Sequence, residues 1–142
     1  MGISKWMAGL VMALMAVIVT ATEGEVEYRQ HTMEAVGGHM QAAVDILRQK
    51  VTHTDHMPIH ADALAELSEI LPSLFPEGSE GGDALAEIWE DPEDFAERLT
   101  AMREAAAGFS AAAGSTDKAA LGEAFQALGQ ACKSCHDSYR AE

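Results

Sequence analysis

Five residues near the end of the chain, Cys132-Lys133-Ser134-Cys135-His136, bring two thiols and an imidazole together. Residues three and four apart share one face of a helix, so both sulfurs and the ring project to the same side. C-x-x-C-H is the attachment pattern of c-type haem. Each thiol adds to one porphyrin vinyl group as a thioether. The ring that follows the second sulfur then lies under the iron, where a neutral imidazole nitrogen is a good axial ligand. Two other chemistries fit the same residues less well. A thioredoxin-like redox pair needs a βαβ setting, and no stretch of the chain alternates apolar and polar residues as a strand would. A zinc site has no obvious fourth ligand at finger spacing. One covalent haem c per chain is therefore the expected cofactor, attached through Cys132 and Cys135 with His136 as proximal iron ligand.

The elements that must hold this motif all read as helices. Glycine and proline cluster between Pro72 and Asp83 and around Gly114. A first helix is expected from about Glu25 to Val51, where Met33, Val36, Met40, Val44, Leu47 and Val51 step by three or four and form one apolar stripe. His53 to Pro58 reads as a loop. A second helix, from about Ile59 to Leu71, carries Leu64, Leu67, Ile70 and Leu71 and stops near Pro72. A short turn with Ile88 and Trp89 precedes Asp91-Pro92, an N-cap acceptor followed by a residue whose missing N–H costs nothing at the first helical position. The third helix presents Phe95, Leu99, Met102, Ala106 and Phe109. Gly114 to Asp117 ends it and caps a fourth, which presents Leu121, Phe125, Leu128, Cys132, Cys135 and Tyr139. Trp89, Phe95, Phe109 and Phe125 are expected in the core. The acidic run Glu90, Asp91, Glu93 and Asp94 reads as a helix start and a solvated face. Four amphipathic helices with modest loops predict an all-α, up-down four-helix bundle around one covalently bound haem.

At 142 residues the chain is long enough for one domain with a real core. Lys5 is followed by an uncharged apolar run, Trp6 to Val19, and then by the small residues of Val19-Thr20-Ala21. This is the order of an export signal, and the run is short of the roughly 20 residues that span a bilayer. Residues 1–21 are expected to be a cleaved signal peptide, leaving residues 22–142 as the mature domain in the periplasm without stable membrane insertion. The cut removes Lys5 and no acid, taking the formal charge from −14 to −15. That balance excludes a basic face for nucleic acid or anionic lipid, and it would steer the protein toward a partner with a basic docking face.

The residues resemble one family, the class II cytochromes c, which comprise cytochrome c prime and its low-spin, methionine-ligated relatives. The matching segments are Tyr28-Arg29-Gln30 with Met33, Gly37, Gly38, His39 and Met40; Glu80-Gly81-Gly82-Asp83 with Glu87-Ile88-Trp89; and Cys132 through Arg140. The resemblance implies a left-handed bundle with the haem inside it and His136 as its proximal ligand. It also implies Arg29 near a haem propionate and Arg140 near the proximal histidine. Counting along the family's first-helix pattern puts Met33 at the distal position, as in members that carry electrons. Met40, two turns further on the same stripe, is the second candidate, and a methionine can occupy the distal side without ligating. Members with an apolar, non-ligating distal residue are five-coordinate and bind nitric oxide. A homodimer through the first two helices stays open beside a monomer.

Glycine inside a helix costs about 1 kcal/mol relative to alanine, so Gly37 and Gly38 need a reason. A haem pressed against the backbone beside Met33 would be one; a kink or close helix packing would be another. His53, His56 and His60 step by three and four, which would suit copper or zinc if Pro58 did not interrupt the helical register; solvated loop histidines are the plainer expectation. The expected function is a periplasmic one-electron carrier, not an enzyme, with redox proteins as partners. The alternatives are a five-coordinate binder of nitric oxide and a haem-anchored helical module that assembles with a partner.

Overall fold

The computed structural model describes the backbone of residues 4–142 and the side chains of residues 22–142, so the side chains of the expected leader, residues 1–21, lie outside the described residues. Its helices are α1 (Ser4–Leu47), α2 (Met57–Ile70), the single turn α3 (Glu87–Glu90), α4 (Pro92–Ala113) and α5 (Lys118–Tyr139). Neighbours in sequence pack side by side, α1 on α2, α2 on α4 and α4 on α5. The result is the expected all-α bundle. Its core is one cluster that includes Val36, Leu64, Leu74, Phe109 and Leu128, with Phe109 edge-on to Phe125 at 5.3 Å between ring centres.

Both capping expectations hold. Asp91 accepts a hydrogen bond from the Asp94 N–H at the start of α4, and Asp117 accepts from the N–H groups of Ala119 and Ala120 at the start of α5. Three boundaries differ from the sequence reading. α1 begins at Ser4 rather than near Glu25, so the helix runs on through the expected leader. α1 stops at Leu47 rather than Val51, because Gln49 adopts a left-handed φ of 56°. The Gln49 N–H then bonds the Ile46 carbonyl and closes the helix end. The stretch His53 to Pro58, expected as a loop, holds a helical turn at Thr54–His56 and the start of α2, and Pro58 does not break the register. It lies in the first turn of α2, where its ring is tolerated and its absent N–H has no helical partner to lose.

The segment after α2 folds back over the bundle's end. Its glycines are placed by need: Gly82 has a φ of 61°, and a Cβ there would meet Gln30 Nε2 of α1 at 2.8 Å. Ala84 forms an isolated antiparallel bridge with Arg140. The Leu85 N–H bonds the Tyr139 carbonyl at 3.0 Å, and the Ala141 N–H bonds the Asp83 carbonyl at 2.8 Å. The last turn of α5 is thereby tied to residues 81–85.

Candidate functional site: a thiol and imidazole face on α5

Cys132, Cys135 and His136 lie in the last two turns of α5, all half-buried. The two thiols are free, not joined as a disulfide, and both pack against the apolar cluster. Burial pushes both thiols up, Cys135 to about 11. His136 is pushed below its ordinary value, first by burial and then by the charge of Arg140. Its imidazole is therefore neutral at pH 7 and keeps a nitrogen lone pair. Arg140 is exposed and follows His136 by one turn, its N–H bonding the His136 carbonyl.

The outer side of the same turn is held by α4. The Arg98 guanidinium donates to the carbonyl and hydroxyl oxygens of Ser134, inside the C-x-x-C segment. Arg98 is itself oriented by Asp94, one turn earlier, at 3.1 Å. Asp94 also accepts the Tyr139 hydroxyl at 2.5 Å. The Tyr139 bond, and then Arg98, hold the Asp94 carboxyl below the usual carboxylate range, and the same bond pushes the Tyr139 phenol up to about 12. This network was not anticipated. Asp94 read as solvation, although the i,i+4 spacing of Asp94 and Arg98 was visible in the sequence.

Met33 is half-buried on α1 and packs against the core, as does Met40. Arg29, one turn before Met33, is 4% exposed. Its terminal nitrogens donate to the Leu74 carbonyl, the Ser79 hydroxyl, the Ser79 carbonyl and the Gly81 carbonyl at 2.9–3.1 Å. The guanidinium also lies 5.1 Å from the Phe75 ring centre. In the structure Arg29 thus clamps the loop that covers the end of the bundle. Gly37 and Gly38 are exposed, and beyond the neighbouring backbone of α1 itself no protein atom lies within 4 Å of where a Cβ would stand at either. Packing against another helix therefore does not account for them.

Among the described residues the extensive helix packing is α1 on α2, α2 on α4 and α4 on α5, while α1 and α5 barely touch. α5 carries the two thiols and the imidazole, and α1 carries Met33, packed against the same core. The α5 residues fit a c-type haem: two free sulfurs and a neutral ring nitrogen within five residues of one helix.

Fold and site together define a helical-bundle haem protein of the c type. The family profile described as Cytochrome C' matches residues 24–140. Cytochrome c' of Rhodospirillum rubrum is 34% identical over 143 residues, covering 94% of this chain and 97% of that protein. Cytochrome c-554 of Cereibacter sphaeroides is 49% identical over 86 residues, 56% of each chain. A nitric oxide complex of a cytochrome c prime variant from Alcaligenes xylosoxidans superposes with a TM-score of 0.80 at 31% identity, over 85% of this chain and 96% of that one. The chain belongs to the cytochrome c' family, whose members carry one covalently bound haem c per chain.

Proposed function

We propose that this protein is a periplasmic one-electron carrier, exported and freed of residues 1–21, with His136 and Met33 as the axial ligands of its haem. The observation that carries this is the half-buried thiol and imidazole face of α5, with the half-buried Met33 thioether of α1 packed against the same core. The haem supplies reversible one-electron chemistry at iron. The chain anchors it through Cys132 and Cys135, offers the neutral His136 nitrogen and the soft Met33 sulfur, and keeps water away with its apolar core. A thioether ligand and a low dielectric both favour the reduced iron and raise the potential. This role involves no bond-making step, so it is that of a carrier and not of an enzyme. The formal charge, −14 for the full chain and −15 once Lys5 leaves with residues 1–21, suits a redox partner with a basic docking face. Among the described residues no helix is long and apolar enough to cross a membrane, in keeping with a protein that diffuses between partners.

The test is Met33→Leu. The ferric wild type is expected to be low-spin with a weak long-wavelength sulfur-to-iron band. Met33→Leu should abolish that band, turn the spectrum high-spin and open the iron to carbon monoxide and nitric oxide. A second reading, a five-coordinate nitric oxide binder, is favoured by the likeness to the Alcaligenes xylosoxidans nitric oxide complex. A wild-type spectrum already high-spin and unchanged by Met33→Leu would decide for it.

A further inference from the structure

The histidines regroup in three dimensions. His53 and His56 stack on each other, with ring centres 4.9 Å apart and planes 9° from parallel. His60, one turn on from His56, meets His39 of α1, Nδ1 to Nδ1 at 3.0 Å. The two residues are 21 positions apart in sequence and half-buried where α1 packs on α2. Ring centres 5.3 Å apart mean that the two Nδ1 atoms point almost directly at each other. A hydrogen bond between two imidazoles needs one Nδ1 with a proton and one without, so one nitrogen lone pair is always present. Burial, with His39 and His56 beside it, holds His60 below its ordinary value and so neutral at pH 7.

We infer that His39 and His60 form a two-histidine site for a divalent transition-metal ion, copper(II) foremost, bridging α1 and α2. With metal–nitrogen bonds of about 2.0 Å, a nitrogen–nitrogen separation of 3.0 Å subtends an angle of about 95° at the ion. That is the cis angle of a tetragonal copper or nickel centre; tetrahedral zinc would need the nitrogens about 0.3 Å further apart. Replacing the shared proton by a metal requires each ring to swing about 40° off the line between them, and both rings are partly exposed. Among the described residues no group of three or more His, Cys, Asp or Glu side chains converges on one point. Water therefore completes the coordination, as suits an exchangeable surface site. The acidic chain raises the local concentration of any cation. The site is separate from the haem ligands: His39 lies six residues beyond Met33, about 9 Å of helical rise.

The experiment is titration of the ferric holoprotein with copper(II), read by calorimetry and by the nitrogen hyperfine pattern of the copper electron spin resonance spectrum. One equivalent should bind with two imidazole nitrogens, and the haem spectrum should not change. Copper should also raise the thermal midpoint, because the ion links two helices in the folded state only. His39→Ala and His60→Ala should each weaken binding at least tenfold and remove the two-nitrogen pattern, while His53→Ala and His56→Ala should leave both unchanged. His60→Gln, which keeps a polar side chain of similar length, covers the case in which His60→Ala fails to fold. Copper binding that survives both His39→Ala and His60→Ala, or no binding at equimolar copper, would overturn the assignment and leave the pair as a hydrogen bond between helices.

Discussion

The clamped end of the bundle and the sulfur-bearing positions of α1 and α5 are built from opposite materials. At the end, Arg29, the loop from Leu74 to Leu85 and the last turn of α5 are joined by charged and backbone hydrogen bonds, and a side chain at Gly82 would be strained by its φ of 61°. On α1 and α5, Met33, Cys132 and Cys135 are half-buried and packed against the apolar core. A buried polar network fixes geometry because each unmade bond is costly, whereas sulfur and hydrocarbon tolerate rearrangement. The chain is rigid where it must hold itself and adaptable where it must receive a large flat cofactor.

The sharpest way to break this contrast is to unclamp the end. Arg29→Ala should leave the Leu74, Ser79 and Gly81 carbonyls without their donor and cost about 3 kcal/mol, roughly 10 °C in Tm. Arg29→Lys, which lacks the planar fork, should recover only part of that. Thermal denaturation followed by circular dichroism measures both. An Arg29→Ala protein as stable as wild type would mean that the loop holds without its clamp.

A smaller effect is expected at Asp94. Tyr139, and then Arg98, lower its folded-state pKa below that of the unfolded chain. Its contribution is therefore fully present above the ordinary carboxylate range and is lost as pH falls through the lowered folded value. Asp94→Asn should lower Tm at pH 7 and flatten its decline as pH falls below about 4. Parallel Tm–pH curves for the two proteins would count against the network.

The smallest change, and of opposite sign, is expected on α1. Gly37 is exposed with open space where a Cβ would stand, so helix propensity decides the outcome. Gly37→Ala and Gly38→Ala should each stabilise by up to about 1 kcal/mol. A Gly37→Ala protein that is less stable, with an altered haem spectrum, would show that the haem lies against that turn.

What the sequence conveyed was local. The three-and-four rhythm of Phe95, Leu99, Met102, Ala106 and Phe109, and the caps at Asp91 and Asp117, specify helices through neighbours a turn apart, and C-x-x-C-H carries its chemistry within five residues. Contacts between distant residues were not legible. Arg29 meets Ser79 across 50 positions, and His39 meets His60 from another helix. Nothing in the spacing of His53, His56 and His60 shows that the third pairs with His39 while the first two stack on each other. Pro58 misled for a related reason: proline marks a break or a beginning with equal force, and only its place in the first turn of α2 decides which.

The bridge between Ala84 and Arg140 changes what the end of α5 is. A helix normally frays over its last turn, its amide protons trading with solvent in brief local openings. Here the Leu85 and Ala141 amides are donors that join two separate segments. Their hydrogen exchange should be governed by release of the whole 81–85 segment rather than by unwinding of a single turn. The two turns that bear Cys132, Cys135 and His136 thus move with a loop some fifty residues earlier in the chain, and a tug on one is felt by the other.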